Sequence, residues 1–202
     1  VQGWRTLSAQ GDYTLFNMEH PILGGYTPDK VALRRALCLA WDVEREILLL
    51  RGGQAVAAHS PLMPNTTGFD PGFVSEGGEY SPPRAKALLD MYGYVDRDGD
   101  GWRDMPDGSP LLLEVATQTD QVARKRDEFM RKMMDAVQIR TTFRPAQWPE
   151  NLKAARAGKL MLWSLGAMAA TPDGQGSLQR YDSRQIGGLN HARFRLPEFD
   201  AL

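Results

Sequence analysis

Short apolar runs alternate with segments punctuated at both ends as helices, and that alternation confines the chain to an α/β fold. Thr27-Pro28-Asp29 is a full helix start: a capping hydroxyl, a proline whose fixed φ suits the first helical position, and a carboxylate near the positive end of the helix. Val31, Leu33, Ala36, Leu37 and Ala40 then follow the 3.6-residue period. Asp42 caps a second helix through Ile47, Leu48 and Leu50, which Gly52-Gly53 ends. Ser81-Pro82-Pro83 opens a third, with Ala85, Leu88 and Leu89 as its apolar stripe and Gly93 as its stop. A long amphipathic helix spans Val122 to Val137 and carries Phe129, Met130, Met133 and Met134; another spans Trp148 to Ala157, with Gly158 behind it. Between them lie the strand patterns Tyr13–Met18, Leu111–Ala116, Ile139–Phe143 and Leu160–Leu165. The expectation is one α/β domain over 1–202, a mixed sheet with flanking helices. Gln54 to Tyr80 reads as a long loop that is functional or wraps the surface, and the stretch after Ala169 as turns until Pro197.

Charge excludes some functions. Twenty-four basic residues face 25 acidic ones, a net of −1, so there is no broad basic face for nucleic acid. The densest basic stretch, Arg124-Lys125-Arg126, runs straight into Asp127-Glu128 and reads as the solvated face of a helix. Cys38 is the sole cysteine, set between Leu37 and Leu39, so no intrachain disulfide forms and the thiol reads as a small buried hydrophobe. No run approaches the ~20 apolar residues of a membrane span. The chain opens at Val1-Gln2-Gly3-Trp4 and closes at Phe199-Asp200-Ala201-Leu202, as if excised from a longer protein.

The sharpest local signal is the acidic stretch 96–107. Asp96, Asp98 and Asp100 stand at positions 1, 3 and 5, Gly101 at 6, Trp102 at 7, Asp104 at 9 and Asp107 at 12. This is the spacing by which oxygens converge on calcium, Trp102 offering its carbonyl, although an Asp replaces the usual Glu at position 12 and a strand rather than a helix follows. Two readings stand side by side: a structural Ca²⁺, and a tight acidic turn before a strand. His20, His59 and His191 are scattered without metal-ligand spacing, and no Gly-x-Ser-x-Gly elbow or phosphate loop occurs, so no enzyme is expected. Trp163 ends a short apolar strand and opens into the small residues Gly166-Ala167-Met168-Ala169-Ala170, a place where a Trp can wall a ligand cleft or simply fill the core.

Taken together these segments resemble the bacterial extracellular solute-binding proteins of family 5, which serve peptides, nickel and related solutes. Phe16-Asn17 followed by Val31 to Asp42 is similar to the family's strand and helix of the type Val-Arg-x-Ala-Leu with Ala-x-Asp. Tyr80-Ser81-Pro82 through Gly93-Tyr94, the Asp98-Gly99-Asp100-Gly101 loop, Trp148 with Gly158, and Leu196 to Leu202 follow in the family's order. The resemblance implies one lobe of a two-lobed periplasmic-binding-protein fold, with the amino-terminal lobe and a return segment lying outside the chain. It implies non-catalytic capture of a peptide or other small-molecule solute by hinge closure, delivery to the permease of an ABC importer, a monomer, no required cofactor, and a periplasmic or lipid-anchored location. It places Trp163, Ser164, Leu165, Gly166 and Ala167 at the ligand. Peptide-binding members carry an Asp shortly after that Trp; here none follows before Asp173. The competing reading is a calcium-binding structural or adhesion domain built on the acidic loop.

Overall fold

In the computed structural model, which describes residues 6–202, the helix starts fall where their chemistry puts them. The opening Val1-Gln2-Gly3-Trp4 lies outside the described residues. Helix α1 (Pro28–Leu39) begins with proline behind Thr27, and α2 (Val43–Leu50) is capped by Asp42, whose side chain accepts from the Arg45 amide at 2.9 Å. Helix α3 (Pro82–Met91) starts on its proline pair, but Ser81 and Thr27 make no side-chain cap; the Ser81 amide instead donates to the Leu39 carbonyl, tying α3 to the end of α1. Helix α4 (Gln121–Asp135) is capped by Asp120 through the Ala123 amide at 2.9 Å. The remaining helices are α5 (Trp148–Arg156) and the single turns α6 (Gln175–Leu178) and α7 (Pro197–Asp200). The Gln54–Tyr80 loop wraps the surface, burying Met63 and Thr66 and holding the later chain through Thr67, whose amide donates to the Pro172 carbonyl at 2.8 Å.

Four strands, β1 (Gln10–Phe16), β2 (Leu112–Thr117), β3 (Arg140–Pro145) and β4 (Leu162–Met168), form one mixed sheet in the order β1-β4-β2-β3. β2 runs parallel to β3 and β4, while β1 runs antiparallel to β4 with Leu15 opposite Trp163. Strand alternation therefore sends neighbouring side chains to two cores. Leu113, Val115, Ile139 and Leu162 pack with α1, α3 and α4; Leu15, Ala116, Trp163 and Leu165 pack with Ala155 of α5 on the other side. The expected α/β mixed sheet with flanking helices is present. β1 lies a few residues earlier than its pattern suggested, because Asn17 leaves the strand: its side-chain amide donates to the carbonyls of Gly158 and Leu160 at 2.9 and 2.8 Å.

Arg103 fastens the first core. Its guanidinium is only 6% exposed; Nε donates to the Val137 carbonyl at 2.9 Å, and Nη1 reaches Asp90 and the Tyr94 carbonyl. One side chain thus joins the end of α3, the acidic loop and the end of α4. Arg103→Met should fill the same volume yet strand these acceptors, costing on the order of 2–4 kcal/mol. A lower urea midpoint at unchanged slope is the expected result.

Candidate functional site

The crevice follows from the strand order. The chain leaves β2 through α4 to β3 on one side, then returns through α5 to β4 on the other side of β2. At such a reversal the connections diverge from the carboxyl ends of two adjacent parallel strands and leave an opening between them. Here β2 ends at Thr117-Gln118 while β4 continues to Met168, and the opening beside that end is a small hollow lined by Thr117, Gln118, Trp163 and Ser164 from the sheet and by Ala123, Arg126, Asp127 and Met130 from α4.

Of the five expected ligand residues, the structure brings Trp163 and Ser164 to this hollow. Trp163 is also a core residue, 1% exposed, with its ring 5.0 Å from that of Trp148 and stacked at 6.3 Å on His191. Its indole Nε1 is buried and has no hydrogen-bond partner among the described residues, as is His191 Nδ1. Ser164 Oγ meets Thr14 Oγ1 across the strand pair at 2.7 Å. Leu165 belongs to the second core. Gly166 and Ala167 are not a loop: β4 continues to Met168, with Gly166 opposite Asp12 and Ala167 opposite Gly11. The edge strand β1 extends the ladder past the point where the apolar run stops. Gly166 is exposed, and the atom a side chain there would meet is Asp12 Oδ1, at 2.9 Å, the end of an exposed side chain.

Asp127 was hidden in the sequence among charges that read as a solvated face. It is half-buried, its Oδ1 accepts from Thr117 Oγ1 at 2.9 Å, and burial raises its pKa above the ordinary carboxylate value despite that bond and the nearby Arg126 and Arg131. The signal was present as spacing: Ala123, Arg126, Asp127 and Met130 share one helix face.

The acidic loop folds on its own carboxylates. Asp96 accepts from the Gly99 and Gly101 amides at 2.7 and 2.9 Å, Asp98 from the Asp100 amide at 3.1 Å, and the buried Asp104 from the Arg97 amide at 2.9 Å. Gly99 and Gly101 take the positive φ that the turn requires. Asp96, Asp98 and Asp104 each bring an oxygen within 4.8 Å of the others. Asp100 and Asp107 are engaged elsewhere: the Trp102 amide and then Arg140, at 2.6 Å, hold the Asp100 carboxyl below its usual range, while the Ser109 hydroxyl and amide do so for Asp107. Trp102 lies with its ring 5.4 Å from the Arg140 guanidinium.

Sheet order and crevice together define a mixed-sheet α/β domain with an opening at a strand-order reversal. The profile of the bacterial extracellular solute-binding proteins, family 5 (middle part), matches residues 2–188, and the chain belongs to that family. Heme-binding protein A of Haemophilus influenzae is 26% identical over 176 residues, 86% of this chain and 30% of that protein. Di/tripeptide-binding protein 2 of Pseudomonas aeruginosa is 27% identical over 149 residues, 72% of this chain and 26% of that protein. The chain thus spans less than a third of the curated relatives it matches. Among solved structures, the oligopeptide-binding protein AppA of Bacillus subtilis, in complex with a nonapeptide, superposes over 97% of this chain and 38% of its own with a TM-score of 0.83 at 21% identity. NikZ of Campylobacter jejuni, in complex with Ni(L-His), covers 98% of this chain and 38% of its own with a TM-score of 0.80 at 20% identity.

His191 makes the second core sensitive to acid. Burial, then the charges of Arg156 and Arg180, hold its pKa below the ordinary 6.5, so the folded state refuses a proton that the unfolded chain accepts. Stability should therefore decline as pH falls through 6.5 and stop declining below the folded-state value. His20 is shifted the same way, by burial first, so His191→Phe should flatten only part of this slope in melting curves between pH 8 and 5.

Proposed function

We propose that this chain is one α/β lobe of a two-lobed solute receptor of an ABC-type importer, which captures a peptide-like or other small polar solute without chemical change. The observation that carries the reading is the hollow where the carboxyl end of β2 meets Trp163 and Ser164 of β4, in a chain of family 5. A solute seated there rests against Thr117, Gln118 and Ser164 and faces outward. A second lobe closing over it supplies the other wall, and the closed form is what a membrane permease distinguishes from the open one. The receptor works as a monomer outside the cytoplasmic membrane, periplasmic or lipid-anchored. A non-catalytic role agrees with the side chains present: Ser164 Oγ meets Thr14, and Ser75 Oγ, 3.4 Å from His59 Nδ1, has no carboxylate behind that histidine among the described residues.

The test is native mass spectrometry of the full-length protein purified without denaturation, followed by solution scattering with and without the released solute. A stoichiometric small molecule and a decrease in radius of gyration on rebinding are expected. Recovery of a chemically altered product from an added solute would make the protein an enzyme and end this reading. The 202-residue piece alone has one wall of the cleft, so its calorimetric binding of the same solute should be weak or unmeasurable.

A structural calcium in the acidic loop has narrower support, the convergence of Asp96, Asp98 and Asp104. Asp98→Ala is the informative variant, because Asp98 supports only the Asp100 amide, whereas Asp96 supports two amides and its loss would unfold the turn itself. If the ion binds, millimolar calcium raises the melting temperature by mass action on the folded state, and Asp98→Ala removes the gain. An unchanged melting curve leaves the loop a plain acidic turn.

A further inference from the structure

Among the residues lining the hollow, Asp127 is the only acid, and it is incompletely matched. Thr117 Oγ1 occupies one carboxylate oxygen, and no Arg, Lys or His nitrogen pairs with Asp127 among the described residues. Arg126 lines the same hollow and, with Arg131, acts on Asp127 through space, but neither guanidinium makes an ion pair with it among the described residues. A half-buried carboxylate with no directly bonded counter-charge has lost hydration without full replacement. The burial-driven rise in its pKa is the electrostatic sign of that deficit.

We infer that Asp127 is the specificity-determining anion of the cleft: it receives an ammonium group of the solute, which completes the charge pairing that the protein leaves open. The inference rests on the reading of the hollow as part of the solute cleft. The group comes from α4, not from β4, whose Ser164 to Ala167 stretch carries no acid. Thr117 fixes the carboxylate's rotamer, so the free oxygen is held in place before the solute arrives, and less side-chain entropy is lost on binding.

The test uses the full-length protein and two probes that differ only in that charge, tri-alanine and N-acetyl-tri-alanine, measured by calorimetry. Wild type should bind tri-alanine. Acetylation and Asp127→Asn should each weaken binding by at least about tenfold, and the two changes together should cost little more than either alone, because both remove one pair. Asparagine keeps an oxygen for Thr117, so the melting temperature should hold; Asp127→Ser is the second variant if Asp127→Asn does not fold. Equal affinity for both probes, an unaffected Asp127→Asn, or no binding of tri-alanine by wild type would each overturn the assignment. In the last case, a neutral or anionic solute released from the denatured wild-type protein would leave the receptor reading standing while Asp127 lost its role. Failure to capture any solute would bring down both.

Discussion

Everything in this domain depends on β4 lying between an antiparallel edge strand and a parallel neighbour. The parallel pairing of Val115 with Leu162 and Ala116 with Trp163 sets the carboxyl end of β2 beside the first residues of β4, which runs on past it to Met168. The return from β3 through α5 must then cross β2, which puts α4 and α5 on opposite faces if both crossovers are right-handed. The two cores confirm that arrangement, since α4 packs with Leu113, Val115 and Leu162, and Ala155 of α5 packs with Ala116 and Trp163. The hollow is a result of this topology. No loop is needed to create it, only two strands whose connections part.

Placing a site on strand ends requires those ends to be rigid, and buried amides supply much of that rigidity. Asn17 spans from the end of β1 to the carbonyls of Gly158 and Leu160, which lead into β4. Asn151 of α5, 3% exposed, donates to the Thr117 carbonyl at 2.7 Å, at the lip of the hollow. Asn190 is wholly buried and binds the carbonyls of Asp182 and Phe194, closing the segment that carries His191 against Trp163. Each such side chain adds a hydrogen bond to loop or strand-end carbonyls; those of Thr117 and Asp182 also accept from the Ala146 and Gln185 amides, so these junctions are held by more than one donor.

The helices were legible because their signals are local. Pro28, Asp42, Pro82 and the stripe through Phe129 to Met134 act within one or two turns, and the structure starts and stops the helices within a few residues of those marks. Strand order was not legible, because nothing within β2 or β4 states which strand lies beside it. The length of β4 was misjudged for the same reason: Gly166 and Ala167 are weak strand formers alone, and they are strand because Asp12 and Gly11 pair with them. Family resemblance named Trp163 and Ser164, which line the hollow, yet it could not reach across to α4. Asp127 stands in a run of five charged residues, and a charge run is ordinarily a solvated helix face. Only the fold shows that one of the five turns inward to Thr117.

That inward turn has an energetic logic of its own. Replacing Asp127 with an apolar residue would remove the desolvation cost and fill the hollow, so stability alone would favour its absence. Thr117 does not remove the cost, because a single neutral hydroxyl replaces only part of a carboxylate's hydration. A charge kept half-buried and half-matched at the opening between two strand ends is therefore understandable as a group that awaits a partner. A carboxylate fully enclosed by one domain would be driven towards its protonated form, whereas one left partly open stays charged, and under the proposed two-lobed reading a second wall closing over the solute would lower the dielectric around the pair only after it had formed.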